Sequence, residues 1–266
     1  MKSTFFITIV LISFCLQAEA QWDQYFAKWD GKDGAVMLDM SWKDVAPASQ
    51  LQFLLICETQ IDDCDDSGFP RDSEYEVLEL LTDSILQEVK SHGVGVLVGT
   101  FTRDCYRKDF FYVRDTMDIS SGNHVAVLGN KLKEFNLGFV FDPKWNVYLN
   151  FLYPNEFHLH SMNNSRVVRQ MLERGEELKK KRELVHLARF NSERDRDDYR
   201  IIVLEQGFRI LETSYNERYA KSYLIKFERR DRLELDWIND VTLRLAERAD
   251  QLKGSYEGWE LIVDEK

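Results

Sequence analysis

The sequence predicts an α+β protein made of two α/β-sandwich domains, the second with the order β-α-β-β-α-β. Three observations lead there. Strand-like runs alternate with amphipathic helical stripes along the chain. Hydrophobic residues make up 44% of the 266 residues and aromatic residues 13%, which excludes a disordered chain. The length accommodates one or two domains of about 100–150 residues each, and Pro154 separates two successive sets of elements.

Residues 1–20 read as a secretory signal. Lys2 supplies the charged start, Phe5 to Leu16 is a nearly unbroken apolar run, and Ala18-Glu19-Ala20 places small residues two apart. The apolar run is shorter than the ~20 residues that cross a bilayer. Cleavage is therefore expected before Gln21, with export to the periplasm or the medium and no membrane span in the mature chain. Phe14 before Cys15 argues against lipidation.

The first domain is expected over residues 21–154. Trp22 to Trp29 alternates as a strand, Asp30-Gly31-Lys32-Asp33-Gly34 is a hairpin turn, and Ala35 to Trp42 returns. Leu51 to Cys57 is a third strand. Glu74 to Ser91 carries Leu78, Leu81, Ile85 and Val89 at helical spacing. Ser73 and Glu76 suggest a capping box there, and Gly93 a stop. Val94 to Thr100 and Asp109 to Arg114 read as strands, His124 to Phe135 as a second helix, and Val147 to Tyr153 as a last strand.

The second domain is expected over residues 155–266. A helix over Ser165 to Leu178 leads in. Glu183 to Phe190 is a strand, and Ser192 to Gln206 a helix ended by Gly207. Phe208 to Tyr215 and Ala220 to Arg229 form a hairpin. Leu235 to Leu252 is a helix with Ile238, Val241, Leu245, Ala249 and Leu252 on one side, and Trp259 to Val263 closes the set. That order is the ferredoxin-like sandwich, with two helices on one face of a four-stranded sheet.

Charge separates the halves. The whole chain carries a net charge of -11, and residues 1–154 hold 13 Lys+Arg against 23 Asp+Glu while residues 155–266 hold 22 against 23. The acidity belongs to the first domain. Phosphate contacts need a local excess of Lys and Arg, so direct nucleic-acid binding is not expected. Cys57, Cys64 and Cys105 remain in an exported chain. Any two can pair in an oxidising compartment, and a buried apolar role for Cys57 or Cys105 is the alternative.

The densest acidic segment fits a calcium-loop template, with Asp63, Asp65 and Ser67 as ligands, Gly68 at the turn and Glu74 as the bidentate acid. A strand precedes it where a helix is needed, and Pro70 removes a backbone N–H. The preferred reading is a solvated acidic loop leading into a helix, so no metal is expected. Gly93, Gly95 and Gly99 lead into a strand instead of opening a helix, which rules against a nucleotide loop. No cofactor is expected. His158 and His160 form an H-x-H pair without a third ligand at metal spacing, and His186 shares a strand face with Leu184, Ala188 and Phe190, as a packed histidine would. Lys179-Lys180-Lys181-Arg182 reads as a solvated helix end among Glu173, Glu176, Glu177 and Glu183. With no catalytic motif the chain is read as a non-enzyme.

The second domain resembles the family of the regulator of ribonuclease E activity B. Arg166-Val167-Val168, Leu172 with Gly175, the strand residues Arg182, Leu184, His186 and Phe190, and Gly207-Phe208 carry part of the likeness. Gly254-Ser255-Tyr256-Glu257-Gly258-Trp259-Glu260 is similar to that family's G-x-Y-D-G-W-E ending, with Glu257 in place of Asp. The first domain resembles a bacterial domain of unknown function, family 695. The residues concerned are Trp22-Asp23-x-Tyr25, Val36 to Met40, Gly68-x-Pro70, Asp109 to Val113 and Asn150 to Pro154. Together these resemblances imply non-catalytic regulation through an unknown protein partner. Tyr256, Glu257 and Trp259 are the candidate contacts. Two alternatives stand beside this reading: a cytoplasmic regulator of ribonuclease E, if the leader is not a signal, and an envelope enzyme of unknown chemistry.

Overall fold

The computed structural model describes residues 20–116, 121–129 and 131–261. All of the expected signal except Ala20 lies outside these residues, as do Ile262 and Val263 of the expected last strand. The described chain divides into two compact units, one built on Asp30–Tyr153 and the other on Gln24–Trp29 with Pro154–Lys266. The second unit therefore takes in residues that the sequence reading assigns to the first domain.

Eleven strands and four α-helices are described, in a mixed α+β arrangement with two sheets. The first set is β1 (Trp22–Trp29), β2 (Lys32–Asp39), β3 (Phe53–Gln60), α1 (Asp72–His92), β4 (Gly95–Arg103), β5 (Tyr106–Val113), β6 (Gly122–Leu128) and β7 (Lys131–Phe141). Their sheet has the order β1-β2-β4-β5-β3-β7-β6. The hairpin turn between β1 and β2 is tighter than expected, because Asp30 and Gly31 both take positive φ and suffice for a two-residue connection.

The helix α1 lies on one face of this sheet. Val77, Leu81, Ile85 and Val89 pack with Leu55, Cys57, Phe111, Val113, Leu128 and Leu137. These strand residues recur at every second position, as one face of a strand requires. The expected capping box is not made. Arg71 occupies the cap without a side-chain bond, and the Ser73 hydroxyl donates to Asp63 at 3.2 Å instead.

Two element assignments for this unit are also corrected. Residues 124–135 are not a helix but most of the β6–β7 hairpin. Leu128, Leu132 and Phe135 fall at helical spacing and mimic a stripe. The β-branched Val125 and Val127 instead alternate with the less exposed His124 and Ala126, and Gly129 at φ 61° opens the turn. Residues 147–153 are likewise not a strand. A single π-type turn, Tyr148–Leu152, takes their place. Asp142 sets it by accepting bonds from the Asn146 and Val147 amides at 2.9 and 3.0 Å. Trp145 stacks on Tyr112 at 3.9 Å, and its indole N–H donates to the Leu51 carbonyl at 2.8 Å.

The second unit contains α2 (Glu156–Glu173), β8 (Arg182–Phe190), α3 (Glu193–Glu205), β9 (Arg209–Tyr215), β10 (Tyr223–Asp231), α4 (Leu235–Gln251) and β11 (Ser255–Leu261). Its sheet runs β11-β8-β10-β9 with antiparallel neighbours, the ferredoxin-like order. Ser192 caps α3 by accepting from the Asp195 amide. The core joins Ala188, Phe190, Ile225 and Phe227 of the sheet to Tyr199 and Val203 of α3 and Val241, Leu245 and Ala249 of α4. The lead-in helix α2 begins nine residues earlier than expected, because Asn155 caps it by accepting from the His158 amide at 2.9 Å. It ends at Glu173, so Lys179 to Lys181 lie in an exposed connection and not on a helix end.

Candidate binding groove of the second unit

The sequence around β11 can be read residue by residue. Gly254 is required by packing: a Cβ there would lie 2.3 Å from the Phe190 ring. Tyr256 points inward, and its hydroxyl meets His186 Nδ1 at 2.7 Å. The strand then bulges. Tyr256 pairs with Ala188 and Gly258 with the adjacent Leu187, so Glu257 is the extra residue. Gly258 holds φ 118°, which side-chain-bearing residues rarely adopt. Beyond the bulge the Trp259 indole N–H donates to Asn164 Oδ1 at 2.7 Å. Glu260 accepts from Lys226 at 3.1 Å.

Asn164 is the partner that sequence reading did not single out. Its amide also donates to Asn239 Oδ1 and Thr242 Oγ1, each at 2.8 Å, fastening α2 to α4. A signal existed, since Asn164 continues the spacing of the buried Val168 and Met171 on α2. A polar residue on that stripe needs a fixed set of partners.

Between α2 and β11 lies a groove of about 220 Å³. His160, Asn163, Val167 and Gln170 face it from α2, spaced so that they share one helix side. Glu257 and Trp259 face it from β11. Burial lowers the His160 pKa, with Glu156 and Glu257 opposing the shift. His186 does not reach this groove. It is fully buried, and desolvation pulls its pKa down to about 3, with Asp231 opposing the shift and Arg229 adding to it. It stays neutral, packed between Phe227 and Phe208.

Residues 20–153, half of the chain, match the family of unknown function DUF695. The chain belongs to the DUF695 family. Residues 161–261 match the regulator of ribonuclease activity B, so a DUF695 domain is followed by a domain of that regulator type. No curated protein matches the chain.

Of the three candidate contacts in the regulator-type domain, Tyr256 is corrected to a core residue, only 5% exposed. Trp259 is half-buried and anchored by Asn164, and Glu257 is exposed. In the DUF695 domain the residues of the calcium template do not converge. Glu74 is 4% exposed and faces Lys133 Nζ at 3.0 Å, and the same ammonium meets Asp62 at 2.8 Å. Asp65 accepts from the Ser67 and Phe69 amides, which lower its pKa. Asp63 lies 3.3 Å from Arg71. Among the described residues no group of three or more His, Cys, Asp or Glu side chains is placed to hold a metal. Gly95 and Gly99 are explained by close approach, of Val89 and of the Met37 carbonyl respectively.

The H-x-H pair lies on α2, where positions two apart diverge. His158 stacks on Tyr25 at 4.5 Å and His160 lies 5.4 Å from the Tyr256 ring. Of Cys57, Cys64 and Cys105, the latter two form a disulfide, and Cys57 is a buried free thiol.

Proposed function

We propose that the chain is an exported, non-catalytic regulator that binds a protein partner through the groove between α2 and β11. The match of residues 161–261 to the regulator of ribonuclease activity B carries this reading, because the groove lies inside that domain. Its exposed acceptor Glu257 and half-buried Trp259 are the mix of polar rim and aromatic anchor that protein interfaces favour. The buried, neutral His186 is out of a substrate's reach, which favours binding over catalysis. Export is supported by the leader-like sequence of residues 1–20 and by the Cys64–Cys105 bridge, since disulfides persist in oxidising compartments.

The regulator match also favours a second reading, modulation of ribonuclease E in the cytoplasm. Cell fractionation with N-terminal sequencing separates the two. Export predicts a chain that starts at Gln21 outside the cytosol. A cytosolic chain that starts at Met1, and slows cleavage by purified ribonuclease E as its concentration rises, replaces the first reading with the second.

A further inference from the structure

The DUF695 domain carries a cavity of about 320 Å³, on the sheet face opposite α1. Its floor is formed by three neighbouring strands. Glu58 on β3, Lys108 on β5 and Phe101 on β4 stand side by side in one cross-strand row. Tyr106 and Arg103 form the next row on the same face. Asp104 completes the lining.

The charges are unevenly matched. Lys108 and Glu58 meet at 2.7 Å and neutralise each other, as do Lys32 and Asp104 at 2.6 Å. Arg103 is different. Among the described residues its one ion pair is a 3.4 Å contact from Nη1 to Asp30, a carboxylate whose side chain is 91% exposed, while Asp104 feels its charge without a direct bond. Its Nε is buried and has no hydrogen-bond partner among the described residues. An unmet buried donor is costly. A guanidinium presents a planar fork that fits one carboxylate.

The wall beside Arg103 is fixed in place. Asp104 and Cys105 form a two-residue hairpin turn with φ of 56° and 60° and no glycine. Such backbone strain is held where the surroundings over-determine it. Here the Cys64 disulfide holds it, together with the Cys105 amide donating to the Gly68 carbonyl at 3.0 Å and the Ile61 amide donating to the Cys105 carbonyl at 2.8 Å. A Cβ at Gly68 would come within 2.8 Å of Asp104 Cα, so glycine alone allows this approach.

We propose that this cavity binds a small aromatic monocarboxylate. The carboxylate takes the Arg103 fork in place of Asp30, with a small turn of the guanidinium bringing Nε–H onto it. The ring lies between Phe101 and Tyr106. The volume is at the small end of the range for ligand sites. With Lys108 and Lys32 already paired, Arg103 is the cation left to meet a ligand, which matches a monoanion and leaves the second charge of a dianion such as phosphate unmet.

The test is amide chemical-shift mapping of the intact chain from Gln21, with 3-phenylpropionate and its neutral analogue 3-phenylpropanamide. The acid is expected to shift amides of residues 101–108 saturably, the amide not to shift them, and inorganic phosphate not to compete. R103Q is expected to weaken binding of the acid at least tenfold. Equal shifts from acid and amide, no shifts from either, or R103Q binding like the parent overturns the proposal. If R103Q does not fold, the acid-against-amide comparison on the parent chain decides alone.

Discussion

His186 Nδ1 and the Tyr256 hydroxyl meet at 2.7 Å inside the regulator-type domain, joining β8 to β11 in a site closed to solvent. The two residues stand 70 positions apart. The contact gives the packed histidine expected from the sequence its partner, and makes a structural tie of Tyr256, which reads there as a candidate docking residue. Removing the hydroxyl with Tyr256→Phe leaves a buried ring nitrogen unmet. The expected loss is about 1–3 kcal/mol of domain stability, read by urea unfolding followed through tryptophan fluorescence. An unchanged midpoint contradicts the contact.

The same histidine sets a pH dependence. Burial holds its pKa at about 3 in the folded chain, against 6.5 when unfolded. The unfolded state therefore binds the proton first. The stabilisation is complete above about pH 6.5 and is lost as pH falls from there towards 3. His186→Gln keeps a partner for Tyr256 but does not titrate. Between pH 6.5 and 5, above the range where ordinary carboxylates titrate, the parent midpoint is expected to fall and the H186Q midpoint to stay flatter. Parallel curves overturn this.

Gly254 predicts a rescue. Gly254→Ala drives a methyl against the Phe190 ring, and overpacking of this kind costs about 1–3 kcal/mol. Phe190→Leu creates space and carries its own penalty. The double variant is expected to be more stable than the sum of the two single losses, as contacting sites allow. Additive losses in a double-mutant cycle count against the packing argument.

Lys133 and Glu74 form a buried ion pair in the DUF695 domain. Lys133→Met leaves the buried Glu74 carboxylate only Lys131 at 3.6 Å and the Asp62 amide at 3.3 Å, at an expected cost of about 3 kcal/mol. Lys133→Met with Glu74→Leu removes both charges and is expected to recover much of that loss. Because Glu74 is engaged in this way, calcium added to the intact parent chain is expected to leave its unfolding midpoint unchanged. A rise of several degrees restores the calcium reading.

Thiol counting checks the cysteine assignment. Burial and the nearby Asp109 push the Cys57 thiol up to about 12, and the residue is inaccessible. A folded chain beginning at Gln21 is expected to label at no cysteine. It labels at one in denaturant and at three after reduction. Replacing Cys64 and Cys105 with serine opens a loop of 41 residues, with an expected loss of about 2–4 kcal/mol in the DUF695 domain.

Legibility in the sequence followed the range of the forces involved. The α1 stripe of Leu78, Leu81, Ile85 and Val89 was readable because helix periodicity is local. So was the β-α-β-β-α-β order of the second domain, where glycine and serine punctuate strong amphipathic runs. The β6–β7 hairpin was not, because Leu128, Leu132 and Phe135 also satisfy helical spacing, and only the pairing of Val125 with Glu134 and Val127 with Leu132 across strands decides the matter. The turn at Tyr148 depended on Asp142 being held by the Tyr112 hydroxyl, which lies 30 positions away and outside any local window. Of the candidate contacts, Glu257 and Trp259 reach the groove. Tyr256 was turned inward by alternation along β11, and Glu257 outward by a bulge that Gly258 makes possible. Arg103 carried no motif at all, since its significance lies in the partners it lacks.

The proposed partner surface is tested most directly by site-specific photo-crosslinking in the producing cell. A benzophenone side chain replaces Glu257 at the groove, and a control replaces exposed Glu212 on β9, at the opposite edge of the sheet. The account predicts one discrete crosslinked species from position 257, recovered outside the cytosol and absent from position 212. No species at 257 above the level at 212 contradicts it.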